Sequence, residues 1–352
     1  MEASLAERLV SWYREHRRDL PFRRTRDPYA IIVAEVLLQR TRMASGVPYY
    51  ERFMARFPTV EQLAAAREEE VLKAWEGLGF YGRARNLHRA AKAITAGHRG
   101  DVPTNFADLR ALPGIGDYTA GAVASIAFGE RVPAVDGNAV RVLARVFRLA
   151  GDLRRGPARR RLMTIAASLV PASEPGQYNQ ALMELGATVC HPKAPRCPEC
   201  PLRTMCGAYI NGSPQRYPKT PPRQHIPVVR VAFAVAVRDG KVLLVRRPPR
   251  GLLAGLWALP GGELPPKGST TETLLKVLAN LGLSVRLDEV AAPVEHTFSH
   301  QRWVGAVYHV SVVGSPRLPE SAMWAAAEDL RRLPLVPFHR RLLETRFGAS
   351  LR

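Results

Sequence analysis

The stretch from Leu112 to Arg145, LPGIGDYTAGAVASIAFGERVPAVDGNAVRVLAR, constrains this chain more than any other. Gly114 and Gly116 bracket Ile115 in a turn too tight for side chains. Asp117 is placed to cap the following helix, whose residues are small and apolar through Phe128. A short connection then leads to a second helix opened by Asp136. A glycine hairpin at a helix N-terminus turns backbone N–H groups outward and offers a seat for a phosphate. The same residues also suit an ordinary helix–helix turn followed by an Asp cap, and this stretch alone leaves both readings open.

Composition narrows the choice. A chain of 352 residues exceeds what one core usually holds, so two domains are expected. With 46% hydrophobic residues it can fill sizeable cores. A net charge of +20 suits a polyanionic partner, nucleic acid first, although a merely solubilising basic surface would read the same way. No run of 18 apolar residues is present, so no membrane span is expected. The start, MEASLAERLV, has no apolar leader core, so a cytoplasmic protein is expected. The four cysteines fall in one short segment, which favours a metal site in a reducing compartment over a disulfide framework.

Residues Leu5 to His16 read as an amphipathic helix, followed by a basic loop, RRDLPFRRTRDPYA, broken by Pro21 and Pro28. Its arginines could grip phosphates or stand solvated. Tyr29 to Arg42 is apolar on almost every side until Gln39, so that helix should be buried. Glu35 sits in its middle with no cation inside the apolar run. Burial favours the neutral carboxyl and raises its pKa, which a general acid near neutral pH requires. A buried Glu paired to a distant Arg fits the residues equally well. Helical patterns continue over Tyr49–Phe57, Val60–Ala66 and Glu69–Trp75, and then GLGFYGRARNLHRAAKAI gives a glycine turn and a basic helix. Beyond the hairpin, Val140–Ala150, Arg159–Val170 and Gln177–Cys190 read as helices.

Cys190, Cys197, Cys200 and Cys206 are separated by gaps of six, two and five residues. Four thiolates this close suit a [4Fe–4S] cluster or a Cys₄ zinc, and the single C-x₂-C knuckle modestly favours iron–sulfur. Residues 213–227 are proline-rich and aperiodic, and read as a linker between residues 1–212 and 228–352. In the second part, VVRVAFAVAV, Asp239-Gly240 and KVLLVRR read as a hairpin. Ser269–Leu281 reads as a helix, and Leu283–Leu287 and Arg302–Val313 as strands.

LPGIGDYTAG followed by VDGN resembles the helix–hairpin–helix superfamily of DNA base-excision glycosylases. Nearly the whole chain is similar to the branch that removes adenine mispaired with 8-oxoguanine. The resemblance implies a mainly α N-terminal catalytic domain with a [4Fe–4S] loop, and an α+β Nudix-like C-terminal domain. It implies that Glu35 is the catalytic acid, that Asp136 stabilises the sugar cation, and that Tyr118 and Asn138 order the site. In branches that also cut the backbone, a lysine occupies the position of Tyr118; base removal without strand cleavage is therefore expected. DNA contacts are implied for Arg18, Arg23, Gln39, Arg40, Thr41, Leu78, Phe80, Tyr81, Leu112, Gly114, Gly116, Thr119 and Gln180. The family's Gln-Gln-Thr wedge reads Gln39-Arg40-Thr41 here, and its tyrosine pair reads Phe80-Tyr81. Phe298, Ser299 and His300 match its lesion-reading loop. The helix after the Gly-rich loop of the second domain carries one carboxylate, Glu272, where a Nudix hydrolase has several for Mg²⁺, so this domain reads as a binding module. The implied partner is double-stranded DNA, met by a monomer at the bacterial nucleoid. A thymine or pyrimidine mismatch glycosylase, a nucleotide pyrophosphohydrolase and a non-catalytic DNA-binding protein are the rival readings.

Overall fold

The computed structural model describes residues 2–219, 225–265, 267, 269–314 and 316–346. Of the linker expected over 213–227, residues 220–224 lie outside the described residues. The contacts divide the chain into two compact units, residues 1–66 with 82–222 and residues 67–81 with 223–352.

The first unit is helical. It contains α1 (Glu2–His16), α2 (Pro28–Leu38), α3 (Met43–Arg56) and α4 (Val60–Ala65). After α5 (Glu68–Ala74), which belongs to the second unit, come α6 (Gly82–His98), α7 (Phe106–Ala111), α8 (Asp117–Phe128) and α9 (Gly137–Val146). The unit closes with α10 (Gly156–Leu169), α11 (Pro175–Thr188) and the short α12 (Gly207–Ile210). α2 is buried from Tyr29 to Ala34 and packs on α3, α6 and α8, as its unbroken apolar run requires. A second core joins α1, α9, α10 and α11 through residues such as Leu9, Leu143, Leu162 and Leu182.

Two expectations are corrected at helix ends. α2 stops at Leu38 instead of reaching Arg42, because Arg40 takes a left-handed φ of 57°. The carbonyls freed there accept from Arg83 Nη1, at 3.1 Å for both Val36 and Leu37, with a further bond to the Gln39 carbonyl. At the other site, Asp117 does not cap α8. The cap is Gly116, which has no side chain to spend on the helix N–H groups, and Asp117 pairs with Arg110.

The link between α8 and α9 places Asp136. Gly121 lies against it so closely that an added Cβ would stand 2.2 Å from the Pro133 carbonyl oxygen. Buried Asn179 of α11 then staples it: its Oδ1 accepts from Ala134 N at 3.0 Å, and its Nδ2 donates to Val132 O at 2.9 Å and to Ser125 Oγ at 2.8 Å.

The second unit is α+β. Its elements are α5, β1 (Val228–Val235), β2 (Val237–Arg238), β3 (Lys241–Arg246), β4 (Trp257–Ala258), β5 (Gly261–Glu263), α13 (Thr270–Ala279), β6 (Ser284–Thr297), β7 (Arg302–Val313), β8 (Ala322–Ala325), α14 (Ala327–Arg332) and α15 (Pro337–Arg346). One sheet runs β5-β1-β7-β6, with β1 and β7 parallel; the other joins β2, β3 and β4, with β8 on β3. The Asp239-Gly240 turn does close a hairpin, both residues having positive φ, but only two residues of β2 pair across it. The long apolar strand breaks at Ala236, and β1 turns away to pair with β7 and β5. Phe233, Trp303 and His339 lie in the buried core between these elements.

Gly121→Ala will overpack the α8–α9 link and lower stability by about 1–3 kcal/mol. A thermal melt measures it, and an unchanged midpoint would show that the link yields freely.

Candidate active site

Glu35 of α2, Tyr118 of α8 and Asp136 at the cap of α9 all belong to the first unit. The Tyr118 hydroxyl donates to Glu35 Oε2 and lies 3.2 Å from Met183 Sδ. Burial raises the Glu35 carboxyl to about 7; the Tyr118 bond and the Arg23 charge oppose the rise, and the Asp136 carboxylate adds to it. Tyr118 is itself pushed well above the ordinary tyrosine range, by burial first and then by the two carboxylates, so its proton stays in place as a donor.

Asp136 occupies the cap of α9. Its Oδ1 accepts from Ala139 N at 2.7 Å. Its second oxygen is engaged as well: Oδ2 accepts from Asn138 Nδ2 at 2.8 Å. Asn138 is held in turn by Arg141, whose Nη2 donates to Asn138 Oδ1 and to Gly186 O, both at 2.8 Å. Burial raises the Asp136 carboxyl, against the pull of these hydrogen bonds and of Arg141. Two carboxyls thus lie close together with different supports. Glu35 has one neutral donor, whereas Asp136 has two N–H donors and a cation behind them. That difference pushes their protonation apart, as an acid paired with a charge-stabilising carboxylate requires.

Arg18 and Arg23 are paired within the protein. Both are bound by Glu184, a fully buried residue that motif reading did not find. Arg18 Nε and Nη2 donate to its two oxygens at 2.7 and 2.6 Å, and Arg23 Nη2 donates to Oε2 at 2.7 Å. Burial alone would raise the Glu184 carboxyl, but the hydrogen bonds from Arg18 and Arg23 overcome it and bring it down to about 2. The only sequence signal for Glu184 is a lone carboxylate in an apolar helix, the pattern that drew attention to Glu35. The two buried acids bear oppositely on stability. Glu35, raised, contributes stability at low pH that is lost as pH climbs through about 7. Glu184, lowered, contributes stability above the ordinary carboxylate range that is lost as pH falls toward about 2.

The remaining expected residues separate by exposure. Gln39 Nε2 donates to buried Thr119 at 3.3 Å, and Thr41 turns back to the Leu37 carbonyl, leaving Arg40 exposed on its left-handed backbone. In the hairpin Gly116 is exposed and Leu112 is buried. Gly114 has a φ of 76° and lies against Asn86, with no space for a Cβ. Gln180 accepts from Tyr13 Oη at 3.1 Å. In the second unit, Phe80 is exposed at a φ of 48°, whereas Tyr81 is buried with its hydroxyl accepting from Gly77 N. Leu78 is half-buried. Phe298 packs on Trp303 with ring centroids 5.0 Å apart, while Ser299 and His300 face solvent.

Cys190, Cys197, Cys200 and Cys206 line one pocket with Arg145, Arg196 and Arg203. Buried Arg145 donates to Cys190 Sγ at 3.2 Å and to the His191 and Pro192 carbonyls at 2.8 Å. Among the described residues no three His, Cys, Asp or Glu side chains are gathered tightly enough for a single ion. Four thiols around one pocket, with an arginine donating to one sulfur, are a donor set suited to an anionic metal centre.

Residues 33–168 match the model of the HhH-GPD superfamily base excision DNA repair proteins, and residues 231–345 that of the NUDIX domain. The chain is 35% identical to the rat (Rattus norvegicus) adenine DNA glycosylase, over 92% of this chain and 74% of that one. It is 34% identical to the human (Homo sapiens) adenine DNA glycosylase, over 91% of this chain and 70% of that one. The chain belongs to the adenine DNA glycosylase family. It is therefore a DNA glycosylase of base excision repair, with a helical HhH-GPD part and a Nudix-like α+β part. Among solved structures it is similar to a thermostable thymine-DNA glycosylase, with a TM-score of 0.55 and 31% identity over 60% of this chain and 97% of that one. Among the described residues no helix is long and apolar enough to cross a membrane.

Glu184→Ala will leave the largely buried Arg23 without its carboxylate and destabilise the protein by about 3–5 kcal/mol. Denaturant unfolding measures this, and a loss below about 1 kcal/mol would mean that water replaces the carboxylate.

Proposed function

We propose that this glycosylase hydrolyses the N-glycosidic bond of adenine paired with 8-oxoguanine in duplex DNA, without cutting the strand. The observation that carries the reading is Glu35, a carboxyl near neutrality that receives the Tyr118 hydrogen bond beside Asp136. The glycosidic bond is out of reach in the stack, so the adenine must be flipped into the site. Protonated Glu35 gives its proton to the purine, at N7 by the family resemblance, and makes the base a leaving group. Positive charge then grows on the sugar, where the Asp136 carboxylate offsets it. The bonds from Ala139 and Asn138 hold that carboxylate in place. Glu35, now ionised, can take a proton from the attacking water.

Tyr118 carries no amine and forms no Schiff base with the sugar, so the reaction ends at an abasic site. The Arg18–Glu184–Arg23 network forms a preset wall beside Tyr13 for the flipped base. The α8 N-terminus, uncapped by a side chain, takes a phosphate, and Arg40, with Gln39 behind it, is the wedge residue. Ser299 and His300 read the oxidised guanine. The four cysteines hold a [4Fe–4S] cluster; when bound it supplies structure to a positively charged loop that meets phosphates. The protein acts as a monomer on DNA at the nucleoid.

Single-turnover base release on adenine opposite 8-oxoguanine tests this reading. The wild type should release adenine and show strand breaks only after hot alkali, whereas breaks without alkali would identify a lyase. Glu35→Gln should keep DNA affinity and lose release; retained turnover would remove Glu35 from its role. Because the acid must be protonated, the wild-type rate should fall as pH rises through about 7. A rate that is flat well above that value would exclude Glu35 as the proton donor.

A further inference from the structure

Residues 67–81 lie inside the helical part of the sequence, yet they pack with residues 223–352. The attachment is specific and polar. Trp257 Nε1 donates to Glu69 Oε1 at 3.1 Å, and Arg246 Nη2 stands 3.7 Å from the same oxygen. Arg340 of α15 forms a two-pronged pair with Glu76, its Nε reaching Oε1 and its Nη2 reaching Oε2 at 3.1 Å. Both Glu76 and Arg340 are largely shielded, with side chains 12% and 18% exposed, so water screens this pair far less than a surface bridge. Arg340 is fixed from behind by a bond to the Leu333 carbonyl at 3.0 Å, and Glu76 also holds Lys73 at 2.8 Å.

Glu76 directly precedes the turn Gly77–Phe80. That turn is itself over-determined: buried Trp75 donates from Nε1 to the Gly79 carbonyl at 3.1 Å, and Gly77 N donates to the buried Tyr81 hydroxyl at 3.4 Å. The result is a phenylalanine held 46% exposed on a left-handed backbone, which a residue other than glycine adopts only when its surroundings impose it. The turn bearing Phe80 and the loop bearing Ser299 and His300 thus belong to one compact unit, while Glu35, Tyr118 and Asp136 belong to the other.

We propose that Glu76 and Arg340 are positioning residues that tie the exposed Phe80 to the lesion-reading unit, so that partner-base discrimination depends on this ion pair. The inference rests on the proposed reading of adenine opposite 8-oxoguanine and on the DNA contact that the family resemblance implies for Phe80.

The test is the ratio of single-turnover release rates for adenine opposite 8-oxoguanine and opposite guanine, in the full-length protein. Arg340→Ala and the near-isosteric Glu76→Gln should each lower that ratio about fivefold, within the range by which contacts outside two sites change their coupling. The double variant should be no worse than either single one, because both break the same contact. In a Phe80→Ala background, Arg340→Ala should add nothing, whereas a general loss of stability would still be felt there. A ratio unchanged in both single variants, or lowered further by Arg340→Ala when Phe80 is already gone, overturns the inference and leaves the proposed function standing. A wild type with no preference for 8-oxoguanine overturns both.

Discussion

The hydrogen bond from Tyr118 to Glu35 is the contact on which the rest of the helical unit depends. It joins α8 to α2 in a place too dry for a carboxylate to be comfortable. A charged Glu35 there would lose its hydration and face Asp136, so the proton is retained up to about pH 7. The surrounding architecture serves that condition. The apolar run of α2 supplies the dryness, and Asn179 and Gly121 fix the link that delivers Asp136. Asn138 and Arg141 keep Asp136 hydrogen-bonded, so the two carboxyls do not compete for one proton on equal terms.

A second buried carboxyl, Glu184, shows the opposite solution. Its side chain is fully buried, yet two arginines hold it ionised. Helix patterns alone do not separate the two cases, because each is a lone acid in an apolar helix. What separates them is the partner brought by another segment: a neutral phenol for one and the basic loop after α1 for the other. Dryness with a neutral donor makes an acid, and dryness with paired cations makes a rigid structural anion.

Much of this was legible before the fold. The glycine hairpin, the apolar α2 and the Asp239-Gly240 turn are local signals with local causes, and each marks the element seen. The failures share a physical origin in long-range contacts. α2 ends early at the left-handed backbone of Arg40, and Arg83, far along the chain, takes the carbonyls freed there. Nothing local shows that Arg18 and Arg23 share one carboxylate, because Glu184 arrives from α11. Tyr81 and Phe80 look interchangeable as a pair of aromatics, and only the turn geometry buries one and exposes the other. The grouping of residues 67–81 with the C-terminal half has no local signature at all.

The central claim is that Glu35 keeps its proton near neutrality, and the most direct measurement is the titration of that carboxyl itself. Infrared difference spectra of the wild type against Glu35→Gln, taken across pH, isolate one protonated carboxyl stretch. The account predicts a band that persists through the ordinary carboxylate range and disappears around pH 7. A band that vanishes near pH 4, where an exposed glutamate titrates at about 4.3, would contradict it and remove the basis for acid catalysis at this position.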